Sequence, residues 1–448
     1  MKLKSIKKIM PLVLSLTLAL CACGNNDTIP ASGDNVIATT EVPTEAPTPE
    51  PTVAPTPEPT AEPTAAPTAE PVDWYQETLN KSILSTGNNG RLEKVIEKIK
   101  NGEDVTIAMI GGSVTEGAGA TSFAESYGEQ FIFNLHDAYP NSHIHYYNAG
   151  LGGTPSTLGL MRYERDVTEI IGTDPDLVIV EFAVNDWEEP TNSRAYEALV
   201  RTILEKENDP AVILLYSVFQ SKWNMQDRYI PIGNHYGLPM VSIKDATTYA
   251  YKTKNVNDDN FFADIYHPTD YGHKIMADCL TELMERVAAM EVPAEITPLP
   301  ESGKYALDFM NMHFVTSKDA NDATIVPGGF NQTDTALQAF SRTTGAAFPD
   351  NWMHTASSGD TSFTATMNCK NIMVSYKISS SADFGFASVY IDGEFVTELY
   401  GCQDGGWNNC DTVLVLDEDA ATTHTLEIKM SEGMENSSFT ILAIGYTQ

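Results

Sequence analysis

The stretch "TIAMIGGS" runs apolar from Ile107 to Ile110 and then stops in Gly111-Gly112-Ser113. Such a tip is either a tight turn that uses a serine or a hydroxyl presented to a ligand. A glycine pair suits both, because it lets the backbone bend sharply and approach another group closely. A serine hydroxyl becomes a useful nucleophile only beside a base, and that base needs an acceptor to orient it. "DIYHPTDYGH" supplies both types: Asp264 and His267 stand three residues apart ahead of a helical segment. The same Asp-x-x-His pattern also starts ordinary helices. Acyl transfer further needs donors for an oxyanion. The glycine-rich "NAGLGGTPSTLG" (148–159) is either a plain loop or a source of a backbone amide for an oxyanion. "EFAVNDW" offers the side-chain amide of Asn185, although Asn185 and Asp186 equally suit a turn or a helix cap. Trp187 follows directly and belongs either to a substrate pocket or to the core. His143 and His145 share a strand face, but no third metal ligand accompanies them. Arg162 and Asp166, at i,i+4, suit an ion pair on a helix surface or between domains. No Cys-x-x-Cys pair argues for zinc, and no metal or cofactor is expected.

These residues need elements that bring them together. From Trp74 onward, helical segments alternate with apolar runs: "VTIAMI", "HIHYYNA", "DLVIVEFAV", "AVILLYSV" and "LPMVSI". A last helix is predicted from about Thr269 to Met290. Continuous apolar strands alternating with helices imply a parallel sheet covered on both faces. Ligands of such sheets bind beyond the carboxyl ends of the strands, where Ser113, the glycine-rich loop and Asn185 all fall. After Met290 the texture changes. "EVPAEITPLPESG" reads as a linker, and from about Tyr305 short β segments follow, with Asp392-Gly393 as a hairpin turn. A sandwich or jelly roll is expected there.

The blocks are more specific together than singly. A serine after the first strand, glycine after the second, Ala-x-Asn-Asp after the third and Asp-x-x-His before the last helix resemble the SGNH (GDSL-type) hydrolases. The resemblance covers about residues 105–290. Gly-Gly-Ser stands here for Gly-Asp-Ser, and Ala183 for the usual glycine of Gly-x-Asn-Asp. What the resemblance implies is a flavodoxin-like, three-layer αβα domain. It also implies Ser113 as nucleophile, His267 as base and later acid, and Asp264 as its orienting partner. Oxyanion donors would be the amides of Ser113 and Gly153, with Gly152 one residue earlier as the alternative, and the side chain of Asn185. The G-x-S-x-G elbow of α/β-hydrolases is not met, because Thr115 holds the final glycine position.

The N-terminus reads as an address. "MKLKSIKKIM" is basic, and "PLVLSLTLAL" is apolar but too short to span a bilayer. "LCAC" resembles a bacterial lipobox, which makes residues 1–22 a lipoprotein signal peptide and Cys23 the lipidated residue. Residues 23–72 form a Pro/Thr/Glu-rich linker whose prolines and like charges forbid a core. About 29 of its residues at roughly 3.1 Å each reach on the order of 90 Å. The expected organisation places the hydrolase at 73–293 and the β domain at 303–448. A formal net charge of −34 argues against nucleic acid and anionic lipid as partners. Membrane contact is expected only through the anchor, with the protein outside the cytoplasm on the bacterial surface. Six cysteines are present, and Cys402 and Cys410 flank "QDGGWNN" closely enough for a disulfide to be open.

A tethered SGNH domain with an appended β domain resembles bacterial carbohydrate esterases. The expected substrate is an acetylated plant polysaccharide or oligosaccharide. Trp407, in "YGCQDGGWNNC", either stacks on sugar or fills the sandwich core. Rival expectations are a lysophospholipase or short-chain lipase, a cell-wall O-acetyl esterase, and a non-catalytic surface glycan-binding protein.

Overall fold

The computed structural model describes residues 73–187, 189–290, 295–341 and 345–448. The expected signal peptide, Cys23 and the linker lie outside these residues.

Helix α1 (Trp74–Ser82) leads into β1 (Ile83–Thr86), α2 (Gly90–Asn101) and β2 (Asp104–Gly111). The one-turn α3 (Ser113–Glu116) and then α4 (Tyr127–Ala138) precede β3 (His143–Gly150). Helix α5 (Ser156–Tyr163), continued by a π turn, precedes β4 (Leu177–Glu181), and α6 (Arg194–Leu204) precedes β5 (Ala211–Tyr216). Next come α7 (Gln226–Tyr236), β6 (Pro239–Ser242), α8 (Ile243–Lys252), α9 (Asp258–Phe261) and α10 (Asp270–Ala288). The sheet order is β1-β6-β5-β4-β2-β3. Strands β2 to β6 pair in parallel. Numbered among themselves they read 2-1-3-4-5, the flavodoxin-like order. The order reverses at β2, so a crevice opens beyond its carboxyl end, where Ser113 stands.

Alternation within each strand feeds two cores. Val105, Ile107 and Met109 of β2 face a cluster with α2, α4, α8 and α10. Ala108 and Ile110 face a second cluster with α5, α6 and α7. Strand β1 was not expected. It pairs antiparallel with β6, and its four half-buried residues, "ILST", carry no alternation to read. Helices α7 and α8 were also missed, and Pro231 inside α7 masks its pattern.

Residues 313–447 form an antiparallel sheet of eight strands. They are β7 (His313–Val315), β8 (Thr324–Val326), β9 (Trp352–His354), β10 (Phe363–Ser379), β11 (Phe386–Ile391), β12 (Glu394–Tyr400), β13 (Trp407–Met430) and β14 (Phe439–Thr447). "DTVLVLD" and "HTLEIKM", which sequence alone separates as two short β segments, belong to one 24-residue strand. The pairing of β10 with β13 skips at Cys369/Asn371, and this irregularity lets the long ribbon change layer. Before it, β10 joins β8 and the end of β13. After it, β10 joins β14 and the start of β13. Residues of both halves share one core, with Phe363, Met367 and Leu426 against Val374, Phe439 and Ile441. The result is a sandwich folded from one sheet. Asp392 and Gly393 turn its hairpin with φ of 53° and 86°, as a two-residue turn with both centres left-handed requires.

The sandwich packs on the α5/α6 side of the parallel sheet. Phe309, Phe348, Met373 and Leu442 belong to the same core as Ile110 and Tyr196. Arg162 is fully buried there, so its i,i+4 pair with Asp166 (3.5 Å) is internal and not on the helix surface. Arg165 lies between the Phe314 and Phe348 rings, 4.7 and 4.9 Å from their centroids.

Candidate active site

Strand β2 delivers Ser113 as the first residue of α3, where a helix N–H has no intrahelical acceptor. The loop between α9 and α10 delivers the other two groups. His267 Nε2 lies 3.0 Å from Ser113 Oγ, and its Nδ1 lies 2.8 Å from Asp264 Oδ2. With Nδ1–H donating to the carboxylate, Nε2 is left to accept the serine proton. Asp264 Oδ1 also accepts the amides of Tyr266 (2.7 Å) and His267 (2.8 Å), which locks the Asp-x-x-His turn. Desolvation pushes the Asp264 carboxyl up, but the imidazole and the two amides together outweigh it and hold it below its ordinary value. Thr269 caps α10 immediately afterwards, accepting from the Gly272 amide at 3.1 Å.

Two of the three expected oxyanion donors follow the neighbouring strands β3 and β4. Asn185 follows β4 and lies against Gly112. A Cβ on Gly112 would stand 2.2 Å from Asn185 Oδ1 and 2.5 Å from its Nδ2. Here the glycine that replaces aspartate in Gly-Gly-Ser opens space that the asparagine fills. Gly153 follows β3 in the left-handed region, φ +69°. Among the described residues, the amides of Gly152 and Gly153 and the Asn185 Nδ2 have no hydrogen-bond partner. Asp186 points elsewhere. It accepts the Ser156 amide at the start of α5 (2.7 Å) and the Tyr229 hydroxyl, and burial pushes its carboxyl up to about 7. It is the helix cap that its residue type allowed.

A second buried carboxyl lies under the serine. Glu181 ends β4 and accepts from Ser217 and from Thr115 Oγ1 (3.1 Å), two residues past Ser113. Burial pushes it up to about 7.

The sandwich reaches this site, which sequence reasoning did not resolve. Gln338 is buried and donates through Nε2 to Gly152 O at 2.8 Å, while its Oε1 accepts the Cys410 amide at 3.2 Å. Its carboxamide is therefore fixed in orientation. Peptide bonds here are trans. Gripping the Gly152 carbonyl turns the Gly153 N–H of the same peptide plane the opposite way, off the sandwich. Ser341 also donates to Glu116 of α3 through its amide (3.2 Å) and its hydroxyl. Trp407 does not fill the sandwich core. It is 55% exposed, and a Cβ on Gly152 or Gly153 would meet its ring at 3.5 Å.

Trp187 is likewise not a core residue, at 64% exposed. Its ring lies 5.1 Å from that of Trp223, and Phe219 and Tyr266 continue the contact towards His267. His143 and His145 stand at the other end of the sheet, 3.7 and 3.5 Å from Asp104. Cys402 and Cys410 are both free. Cys410 faces the interdomain core, and burial there raises its thiol pKa.

The arrangement combines an imidazole-bound hydroxyl, a carboxylate behind the imidazole and unpaired donors on two sides. Residues 109–275 match the GDSL-like Lipase/Acylhydrolase family, and residues 38–73 match the PT disordered repeat. No curated protein matches the chain. A two-domain esterase (CEX) active on acetylated mannans, co-crystallised with mannopentaose, is 26% identical with a TM-score of 0.72. The match covers 83% of this chain and 98% of that one. A second structure of that esterase matches with the same identity and TM-score over 83% of this chain and 99% of that one. The chain is a carboxylic ester hydrolase, with a GDSL-like αβα domain and a β-sandwich appended to it.

Proposed function

We propose that the protein is a carbohydrate O-acetylesterase that removes acetyl groups from plant polysaccharide or its oligosaccharides through an acyl-serine intermediate. One observation carries the reading: the Ser113–His267–Asp264 chain opens beside Trp407 of the appended domain. The likeness to a two-domain esterase active on acetylated mannans extends over both halves and supports it.

In this mechanism His267 Nε2 takes the Ser113 proton as Oγ attacks the acetyl carbonyl. The oxyanion is held by the Gly153 and Ser113 amides and the Asn185 side chain. Collapse expels the sugar hydroxyl, which leaves with the proton from His267. Water, activated by the same imidazole, then attacks acetyl-Ser113 and releases acetate. Asp264 keeps the imidazole in its tautomer and stabilises the imidazolium. The lipobox-like "LCAC" and the Pro/Thr/Glu-rich linker support a cell-surface enzyme anchored through Cys23.

The test is acetate release from acetylated mannan, acetylated xylan and an acyl-chain series of aryl esters. Wild type is compared with Ser113→Ala, with and without chelator. The expected result is serine-dependent, chelator-insensitive acetate release from a glycan, with C2 favoured over C8. Preference for long acyl chains would move the protein to the lipases, and glycan binding without turnover to the binding proteins.

A further inference from the structure

Four aromatic rings lead away from the catalytic histidine in an unbroken series. Tyr266 lies 6.1 Å from the His267 ring, Phe219 lies 5.1 Å from Tyr266, Trp223 lies 5.8 Å from Phe219, and Trp187 lies 5.1 Å from Trp223. They come from three separate loops, so the series is a product of the fold and not of local sequence. Phe219 and Trp223 rest partly on the core, but the outer members do not: Trp187 is 64% and Tyr266 48% exposed. Water-facing rings of this size, contiguous with a reactive centre, mark a contact surface.

The platform is also built. The Gln220 amide donates to Ile265 O (3.2 Å), tying the Phe219–Trp223 loop to the Asp264–His267 turn. The Met225 amide donates to Ala183 O (2.8 Å), tying the same loop to the Asn185 segment. Within the loop, buried Asn224 donates to Ser217 O at 2.8 Å.

We propose that Trp187, Trp223, Phe219 and Tyr266 form a track that binds the neutral sugar units flanking the acetylated one. The proposal rests on the carbohydrate reading above. Pyranose rings offer flat C–H faces that gain dispersion and burial on aromatic rings, and hydroxyl edges that stay in water. Continuity with His267 places such a chain where one of its acetyl groups meets Ser113. A chain bearing −34 formal charges, with Trp187 followed by Glu188 and Glu189, disfavours a polyuronate.

The test uses the full-length Ser113→Ala protein and calorimetric titration with unacetylated manno- and xylo-oligosaccharides of two to six units. Affinity for one series is expected to rise with length. Adding Trp187→Ala should lower affinity for the longest member at least tenfold and flatten that rise, while Trp187→Phe keeps most of it. In the Ser113-intact enzyme, Trp187→Ala should lower the ratio of kcat/KM on acetylated hexasaccharide to that on an aryl acetate at least tenfold. An unchanged length dependence in Trp187→Ala, or equal loss at every length, overturns the track even if the enzyme deacetylates glycan. Equal affinity for oligogalacturonate overturns the neutral-chain assignment. If wild type cleaves aryl acetate but no acetylated glycan, the carbohydrate reading fails and takes the track with it.

Discussion

Gly112 and Asn185 are fitted to each other, and this pairing gives the most direct test of the oxyanion geometry. Asn185→Ala removes one donor and is expected to lower kcat about 100- to 1000-fold. Gly112→Ala leaves every proposed catalytic group in place, yet its methyl would occupy the space of the Asn185 carboxamide. A loss approaching that of Asn185→Ala is therefore expected, and the double variant should be little worse than either single one. Additive losses, measured as kcat on an aryl acetate, would mean that the two residues act independently. These positions were visible in the sequence because each sits in a short block at a strand end. What the blocks could not show is that Gly112 lies against Asn185, a contact between residues 73 positions apart that the parallel register of β2 with β4 creates.

At the scale of elements, three buried titratable groups surround the loops that carry Ser113 and Asn185. Burial pushes Glu181 and Asp186 up to about 7, and it pushes His273, which accepts the Tyr127 amide (3.2 Å), down to about 4. Between the ordinary carboxylate range and about pH 7, the folded chain keeps protons that the unfolded chain has released. The stability from Glu181 and Asp186 is thus complete at low pH and is lost as pH rises through about 7. His273 works the other way. Its contribution is present above the ordinary value of 6.5 and fades as pH falls towards about 4. Two carboxyls outweigh one imidazole, so this group of residues lowers stability between about pH 5 and 8. Glu181→Gln is expected to be more stable than wild type at pH 8, by on the order of 3 kcal/mol at most, and no more stable at pH 5. Urea midpoints at both pH values check this; a stabilisation equal at both would rule out titration as its origin. The five parallel strands and the last helix were legible because long apolar runs alternate with amphipathic segments. Strand β1, helix α7 and the single long β13 were not. Their pairing partners or a mid-helix proline, and not their own periodicity, decide their structure.

For the whole molecule, the two halves share one core, with Phe309, Phe348 and Leu442 packed among residues of α5 and α6. A single calorimetric transition is therefore expected, where separable domains would give two. Gln338→Ala should act across the same interface. Freed from the sandwich, the Gly152–Gly153 peptide loses its fixed orientation, and kcat on an aryl acetate should fall about tenfold or more while KM changes little. Gln338→Glu, which can still accept from Cys410 but cannot donate to Gly152 O, should resemble Gln338→Ala; a purely packing role would leave it near wild type. None of this was legible locally, since Gln338 and Ser341 lie in loops without a motif, and only docking gives them their partners. The clamp also dates the birth of activity along the chain. His267 is made well before Gln338, and Gln338 well before Cys410, whose amide orients it. A nascent or clipped polypeptide that ends between these points carries a complete Ser–His–Asp set but an unsupported oxyanion loop. With Gly153 as the proposed oxyanion donor, full esterase activity is expected only once the carboxyl-terminal half has been finished and has closed onto the first.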